Sequence, residues 1–424
     1  CSGHGNGLYL LDKQNLPLLG IQSLDSRAVE TVDEFAADGR DDLIYDICLQ
    51  KPWPSQTATL LAWLKRHAPD IYAQTGTAFL CKDYLRFCLT GTIGSDYSDM
   101  SGCGLLRLPS LEYDQELLTH YGLEDCPNLL PPLSQSTDII GKVTPEAAEQ
   151  TGLQAGTPMV AGLFDIVASA LGAGTTQPGQ ASIVAGTWSI NQVVVEQPVS
   201  DPSIFMAAAI SPDRFVEAEA SATSATNLAW MVREFLTDND MQADESTVLA
   251  HCNELVAGVE LVPGLPIFHP FIYGSGSNGS ARAGFYGIGG WHTRAHMIHA
   301  IYEGVVFGHL QHIAKLRNAG VDFNSATLSG GASRSPIWPQ MFADILDVEV
   351  TVSECTETGA KGAAIAAGVG LSLFADLTAG TAAMSQGDHS YYPDPLKQQI
   401  YWQRFEIFEK LCASMTAIWE KLAE

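Results

Sequence analysis

Short apolar runs bounded by polar turns alternate along the chain with longer stretches whose apolar residues recur at helical spacing, the pattern of an α/β protein. Leu8 to Leu11 reads as a strand, Asp12 to Asn15 as a polar turn, and Leu18 to Leu24 as the returning arm of a hairpin that leads into Asp25-Ser26-Arg27. Thr57 to His67 keeps Leu60, Leu61 and Leu64 on one helical face. Lys82 to Thr90 is a helix stopped by Gly91, and Thr144 to Gly152 a short one with Pro145 at its first position. Val160 to Phe164 reads as one buried strand, and the small residues from Ile166 through Gly174 as a helix packed closely on a neighbour. Strands are expected at Gln180 to Ala185, Ala326 to Ser329 and Val348 to Val352. Helices are expected at Asn227 to Phe235, Pro336 to Leu346, Ala363 to Gly370 and, amphipathic, Leu396 to Leu422. The strongest helical pattern runs from His296 to Arg317, with Ile298, Ile301, Val305 and Ile313 among its apolar positions.

Composition narrows this picture. A chain of 424 residues is long for one core, so two domains are expected. Its formal charge of −26 argues against nucleic acid and anionic membrane surfaces as partners. A phosphate-bearing ligand would then need local backbone dipoles or a metal. The nine cysteines form no CxxC pair, which speaks against a zinc site and for reduced thiols in the cytoplasm. No apolar run is long enough to span a bilayer; Gly359 to Phe374 carries Lys361 and reads as tight packing. Cys1 to Leu11 looks like a loop entering a strand, so the chain is expected to open inside a domain whose first part is missing.

Asp165 falls at the carboxyl end of a strand and the start of a helix, the edge where α/β sheets bind ligands. On position alone a helix N-cap is the plainer reading and a catalytic carboxylate the sharper one. Gly186-Thr187-Trp188-Ser189 after a strand has the shape of a phosphate-holding turn, and equally of an ordinary one. Gly330-Gly331 between strand and helix suits a nucleotide, or a plain strand-to-helix turn. Ser95 to Gly102 is either a loop that grasps hydroxyls or a set of Asx and ST turns. Trp53, between two prolines, either packs on a helix or forms a wall for a polyol. His296, His299, His309 and His312 read as core or solvated side chains rather than metal ligands, and Phe271 to Gly290 as a long functional loop.

Taken together, Lys82 to Gly91 with Ser95 to Gly102, Gly162 to Asp165, Gly186-Thr187-Trp188, Leu328 to Ser335 and Gly359 to Gly370 resemble the FGGY carbohydrate kinases. Gly162 to Val167, Gly284-Phe285-Tyr286-Gly287 and His292 to Phe307 are most similar to the L-xylulose (3-keto-L-gulonate) kinase branch. The resemblance implies two ribonuclease-H-like (actin-like ATPase) domains, 1–162 and 163–424, with sugar, ATP and Mg²⁺ in the cleft between them. It implies Asp165 as the general base, His4, Asn6 and Trp53 as sugar contacts, and Gly186 and Thr187 as phosphate contacts. Gly330, Gly331 and Ser335 match the adenosine segment, Gly287 a loop near the nucleotide, and analogy adds a homodimer. The family's opening Asp-x-Gly hairpin has no counterpart before Cys1, so the metal ligand it would supply has no position here. Other sugars of the family (D-xylulose, ribulose, glycerol) and a non-catalytic sugar- or nucleotide-binding protein stay open as alternatives.

Overall fold

The computed structural model describes residues 1–236, 245–275, 279–385 and 388–423. After the short β1 (Ser2–Gly3), β2 (Leu8–Asp12) and β3 (Pro17–Ile21) form the expected hairpin, with Leu10 opposite Leu19. Asp12 sets its turn by accepting from the backbone N–H groups of Gln14 and Leu16. α1 (Thr57–His67) buries Leu60, Leu61 and Leu64, while Lys65 reaches out to Asp125. β4 (Thr75–Phe79) pairs with the other side of β2. α2 (Cys81–Thr90) ends on Gly91 at φ 67°, a left-handed cap that glycine adopts without Cβ strain.

The Ser95 to Gly102 cluster is not an open loop. Ser95–Asp96 pairs with Leu133–Ser134, Asp96 caps α3 (Tyr97–Ser101), and Ser95, Asp96, Ser98, Asp99 and Ser101 are all fully buried. The cause lies on α2, whose buried Lys82 and Arg86 draw these polar groups inward.

Val160 to Phe164 does not form one strand either. Pro158–Val160 runs antiparallel to Ile139–Lys142, whereas β5 (Leu163–Phe164) pairs in parallel with β1. The break falls at Gly162, φ 95°, where a Cβ would stand 2.4 Å from the Cys1 carbonyl oxygen. α4 (Asp165–Ala173) follows at once.

The second half is built on β6 (Gln180–Ala185), β7 (Ser189–Val195), β8 (Met206–Ser211) and β9 (Arg214–Ser221), an antiparallel set in which β9 lies between β7 and β8. Then come α5 (Arg294–Asn318), β10 (Ser325–Ser329), α6 (Trp338–Leu346), β11 (Glu349–Val352), α7 (Thr358–Gly370), β12 (His389–Tyr391) and α8 (Pro395–Ala423). The sheet order is β8-β9-β7-β6-β10-β11-β12, with β6, β10 and β11 parallel. Chain connections leave β6 and β10 in opposite directions, which makes their carboxyl ends the switch point of the sheet.

One core joins α5, α6 and α8 to the sheet; another lies on β2, α1 and the helices around them, and also takes in Ala207, Ala209 and Phe215 of β8 and β9. The second half thus reaches into the first. His299, His309 and His312 of α5 belong to the core, and burial pushes His299 and His312 down to about 3, so both rings are neutral. His296 instead completes a capping box with Thr293 at the start of the helix.

Some boundaries move. α7 starts at Thr358 rather than Ala363, and a 3₁₀ turn, Gly331–Arg334, precedes α6. The segment expected as one helix over Asn227 to Phe235 is α-helical at Thr226–Met231 and a π-turn at Val232–Leu236. Within Phe271 to Gly290, Gly284–Tyr286 is a strand paired with Ile267–His269, and residues 276–278 lie outside the described residues.

α4 and α7 touch backbone to backbone, which explains their small residues. A Cβ on Gly172 would lie 1.8 Å from the Thr358 carbonyl oxygen, and one on Gly362 1.9 Å from that of Ala168. Gly172→Ala is expected to force the helices apart at a cost of about 1–3 kcal/mol or more, read as a lower urea midpoint.

Candidate functional site

Asp165 is the first residue of α4, and the N-cap position belongs to Phe164, which makes no side-chain cap bond. The carboxylate is therefore not engaged in capping, which corrects the plainer sequence reading. In the parallel β1–β5 pair Gly3 stands opposite Phe164, so His4 and Asp165 come next at adjacent strand ends. The chain through Gly5 rests on the Phe164 ring, where a Cβ would come within 2.4 Å. Burial raises the Asp165 carboxyl to about 6, opposed only by the Ile166 backbone N–H. Such a group is ionised at neutral pH yet basic enough to accept a proton.

His4 is half-buried, and burial lowers its pKa, so the ring is neutral at pH 7. Its Nε2 lies 3.1 Å from the Tyr9 hydroxyl, and Tyr9 stacks on Tyr84. Burial pushes Tyr9 up to about 12, with Cys81 beside it; the Cys81 thiol, raised first by burial, also feels the charge of Asp165. Cys81 thus links the His4–Tyr9 pair to the neighbourhood of the carboxylate.

Of the other expected sugar contacts, Asn6 lies deeper and Trp53, like His4, is half-buried. Asn6, φ 62°, is buried; its amide donates to the Gly102 carbonyl at 3.1 Å and accepts from the Thr57 N–H at 3.3 Å. Its side chain ties the first loop to α1 and α3. Trp53 packs on Phe205, ring centroids 5.8 Å apart, and its buried indole N–H has no partner among the described residues.

On the second half, Gly186 and Gly330 meet. β6 and β10 align Val184 with Ser329, and a Cβ on Gly330, φ 86°, would lie 2.8 Å from the Ala185 carbonyl oxygen and 3.1 Å from the Gly186 nitrogen. Gly186, Gly331 and Gly287 have open space where a Cβ would point, and Thr187 is exposed. Two glycine turns therefore sit side by side at the switch point of the sheet, and the Gly186 N–H closes its own turn onto the Trp188 carbonyl at 3.2 Å. Ser335 is a brace instead. Its hydroxyl donates to Asn253 Oδ1 at 2.7 Å and accepts from the Ile337 N–H at 3.1 Å.

Two supporting groups escaped the sequence reading. Beneath the Gly186 turn, Asn191 accepts from His309 Nδ1 at 2.8 Å and donates to His312 Nδ1 at 2.9 Å, and Ser189 lies 3.1 Å from His309. Polar residues at alternate positions of β7, Ser189 and Asn191, were the available signal. The second group is the buried set around Lys82, signalled by three aspartates within a short span of a Lys and an Arg.

Residues 1–172 match the FGGY family of carbohydrate kinases, N-terminal domain, and residues 181–371 its C-terminal domain. The chain is 34% identical over 427 residues to the L-xylulose/3-keto-L-gulonate kinase of Escherichia coli (strain K12), covering 100% of this chain and 84% of that protein. It is 35% identical to a probable L-xylulose kinase of Pasteurella multocida (strain Pm70), over 98% of this chain and 84% of that one. Among solved structures, xylulose kinase from Rhodospirillum rubrum superposes with a TM-score of 0.88 at 26% identity, covering 99% of this chain and 84% of that one. Plasmodium falciparum glycerol kinase with ADP gives 0.85 at 19% identity, covering 96% and 82%, a likeness of fold alone. The fold is thus the two-domain actin-like ATPase architecture, and no described helix is long and apolar enough to cross a membrane. With both family domains matched in order and relatives above 30% identity along the whole chain, the chain belongs to the FGGY family of carbohydrate kinases, ATP-dependent enzymes that phosphorylate sugars.

Proposed function

We propose that the chain phosphorylates a ketopentose-type sugar, L-xylulose or 3-keto-L-gulonate, with Asp165 as the general base. The observation that carries this reading is a carboxylate at a strand end, left free by its cap and raised by burial to about 6, beside a neutral His4. Asp165 takes the proton from the attacking hydroxyl while that oxygen bonds to the γ-phosphorus of ATP. The bond to the β–γ bridging oxygen breaks, and ADP leaves. His4 and Trp53 contact the sugar in this proposal, and Asn6 shapes the loop that carries His4. Thr187 presents its backbone N–H to phosphate from a turn that the Gly186 N–H closes onto the Trp188 carbonyl, Gly186 lets phosphate come close, Gly330 and Gly331 approach the adenosine, Ser335 holds that segment to Asn253, and Gly287 borders it. Donors of this kind suit a chain of charge −26, whose long-range field repels phosphate.

Among the described residues, no three His, Cys, Asp or Glu side chains gather as a metal cage. Mg²⁺ is proposed to enter on the nucleotide phosphates, the usual mode for this ion, and no residue here is assigned to it. The division at 162/163, a homodimer and a cytoplasmic location, which suits nine free cysteines, complete the proposal.

A coupled ADP-release assay on full-length protein with a panel of ketoses and polyols tests it. Turnover is expected to be highest with L-xylulose or 3-keto-L-gulonate; a clear preference for D-xylulose, ribulose or glycerol would replace that substrate, and binding without ADP release would sink the kinase reading. Gly330→Ala is expected to raise the KM for ATP about tenfold, because its Cβ displaces the Gly186 turn, and to leave the sugar KM within about threefold.

A further inference from the structure

Four consecutive backbone N–H groups lead to Asp165, and each is held. Ala161 donates to the Asp138 carbonyl at 2.8 Å, Gly162 to that of Ser136 at 3.0 Å, and Leu163 to that of Cys1 at 3.2 Å. The fourth, Phe164, donates to a side chain, Ser98 Oγ, at 2.9 Å. This last bond lies one residue before the carboxylate, and its acceptor belongs to α3.

Ser98 is itself held rigidly. Its hydroxyl donates to Asp96 Oδ2, which also accepts from the Ser98 N–H at 2.9 Å and from Ser136 Oγ at 2.6 Å. The other oxygen of Asp96 lies 2.6 Å from the Lys82 ammonium. With its single proton given to Asp96, Ser98 Oγ has only lone pairs to offer Phe164, so the bond has one polarity and one geometry. A second arm comes from Arg86, whose guanidinium donates to the Ala161 carbonyl at 2.5 Å. All of these side chains are fully or nearly fully buried, where charge-assisted hydrogen bonds are strong and water does not compete.

We infer that Ser98, locked by Asp96 and Ser136 over the Lys82 ammonium, is a positioning residue for phosphoryl transfer that fixes the direction in which Asp165 faces the sugar hydroxyl. The inference rests on the reading of Asp165 as the base. Ser98 touches neither sugar nor nucleotide; it acts through the Phe164 peptide. A misplacement of about 1 Å at a reacting group can cost roughly a hundredfold in rate.

The test is a double-mutant cycle in full-length enzyme, read by sugar-dependent ADP release across a pH series. Ser98→Ala is expected to lower kcat about 10- to 100-fold with the sugar and ATP KM values within about threefold. The acid limb of its kcat profile should move down by about half a pH unit or more, as the loosened carboxylate gains contact with water. In an Asp165→Asn background the same change should cost less than about twofold, since there is no base left to aim. A kcat within about threefold of wild type, an unmoved acid limb, or an equal loss in both backgrounds would overturn the inference. Should Ser98→Ala fail to fold, Ser136→Ala reads the same relay from its outer end. It should lower kcat about 3- to 10-fold at constant KM and move the acid limb the same way; an unchanged profile counts against the relay. If Asp165→Asn itself keeps wild-type turnover, the base reading fails and this inference with it. A dead Asp165→Asn beside a silent Ser98→Ala removes the positioning role alone.

Discussion

Asp165→Asn is expected to lower kcat by about 10²- to 10⁴-fold, the range for loss of a positioned general base, with KM for sugar nearly unchanged. The amide keeps the size and one acceptor of the carboxylate but cannot take the hydroxyl proton. Its effect on stability should run the other way. The folded carboxyl binds its proton more tightly than the unfolded one, about 6 against 3.8, because burial disfavours the charge. Ionising it therefore costs the folded state. That cost is absent below the unfolded value, grows between the two values, and is complete above about 6. The amide removes the cost, so the variant should be more stable than wild type by roughly 3 kcal/mol near pH 7.5 and nearly equal to it near pH 3. Urea unfolding at the two pH values checks both the sign and the window. A gain in stability with a loss of turnover marks a strained functional group rather than a structural one.

The largest loss of stability is expected from Lys82→Met. The Lys82 ammonium is fully buried, 2.6 Å from Asp83 Oδ1, 2.6 Å from Asp96 Oδ1 and 3.5 Å from Asp99 Oδ2. Burial opposes its charge, but the three carboxylates outweigh burial and raise its pKa. Burial dominates at Asp99, whose carboxyl is raised well above the usual carboxylate range. Arg86 adds a second cation to the cluster, 2.9 Å from Asp83 Oδ1. Removing Lys82 leaves Asp96 buried without its cation, at a cost of about 3–5 kcal/mol. By contrast, Lys51 meets Asp41 at 2.8 Å with a third of its side chain exposed, and Lys51→Met should cost under about 1 kcal/mol. The two urea midpoints, measured side by side, separate a buried ion cluster from a surface pair.

Much of this architecture is legible in local sequence. Thr57 to His67 is helical because its leucines repeat at helical spacing, and α2 stops at Gly91 because that residue takes a left-handed conformation at little cost. The small residues of α4 and α7 announce close packing, although only the fold shows that each is the other's partner. Failures of the reading share a cause: the deciding partner lies far away in sequence. Ser95 to Gly102 looks like a solvated polar loop until Lys82 and Arg86 are placed against it. Gly162 looks like part of a strand until β1 claims the residues after it. Asn6 and Ser335 have the chemistry of ligand contacts, and the structure adds their internal partners, Gly102 and Thr57 for Asn6 and Asn253 for Ser335. Whether Asp165 caps its helix or begins it is a shift of one residue, which no pattern resolves and one backbone conformation decides.

The most direct test of Asp165 as the base of a sugar kinase is the pH dependence of kcat for L-xylulose phosphorylation, measured by ADP release with full-length wild type and Asp165→Asn. Wild type should lose turnover as pH falls through about 6, the value to which burial raises this carboxyl, while the residual rate of the variant should show no such limb. A variant that turns over within a few-fold of wild type, or that keeps the same acid limb, would contradict the assignment.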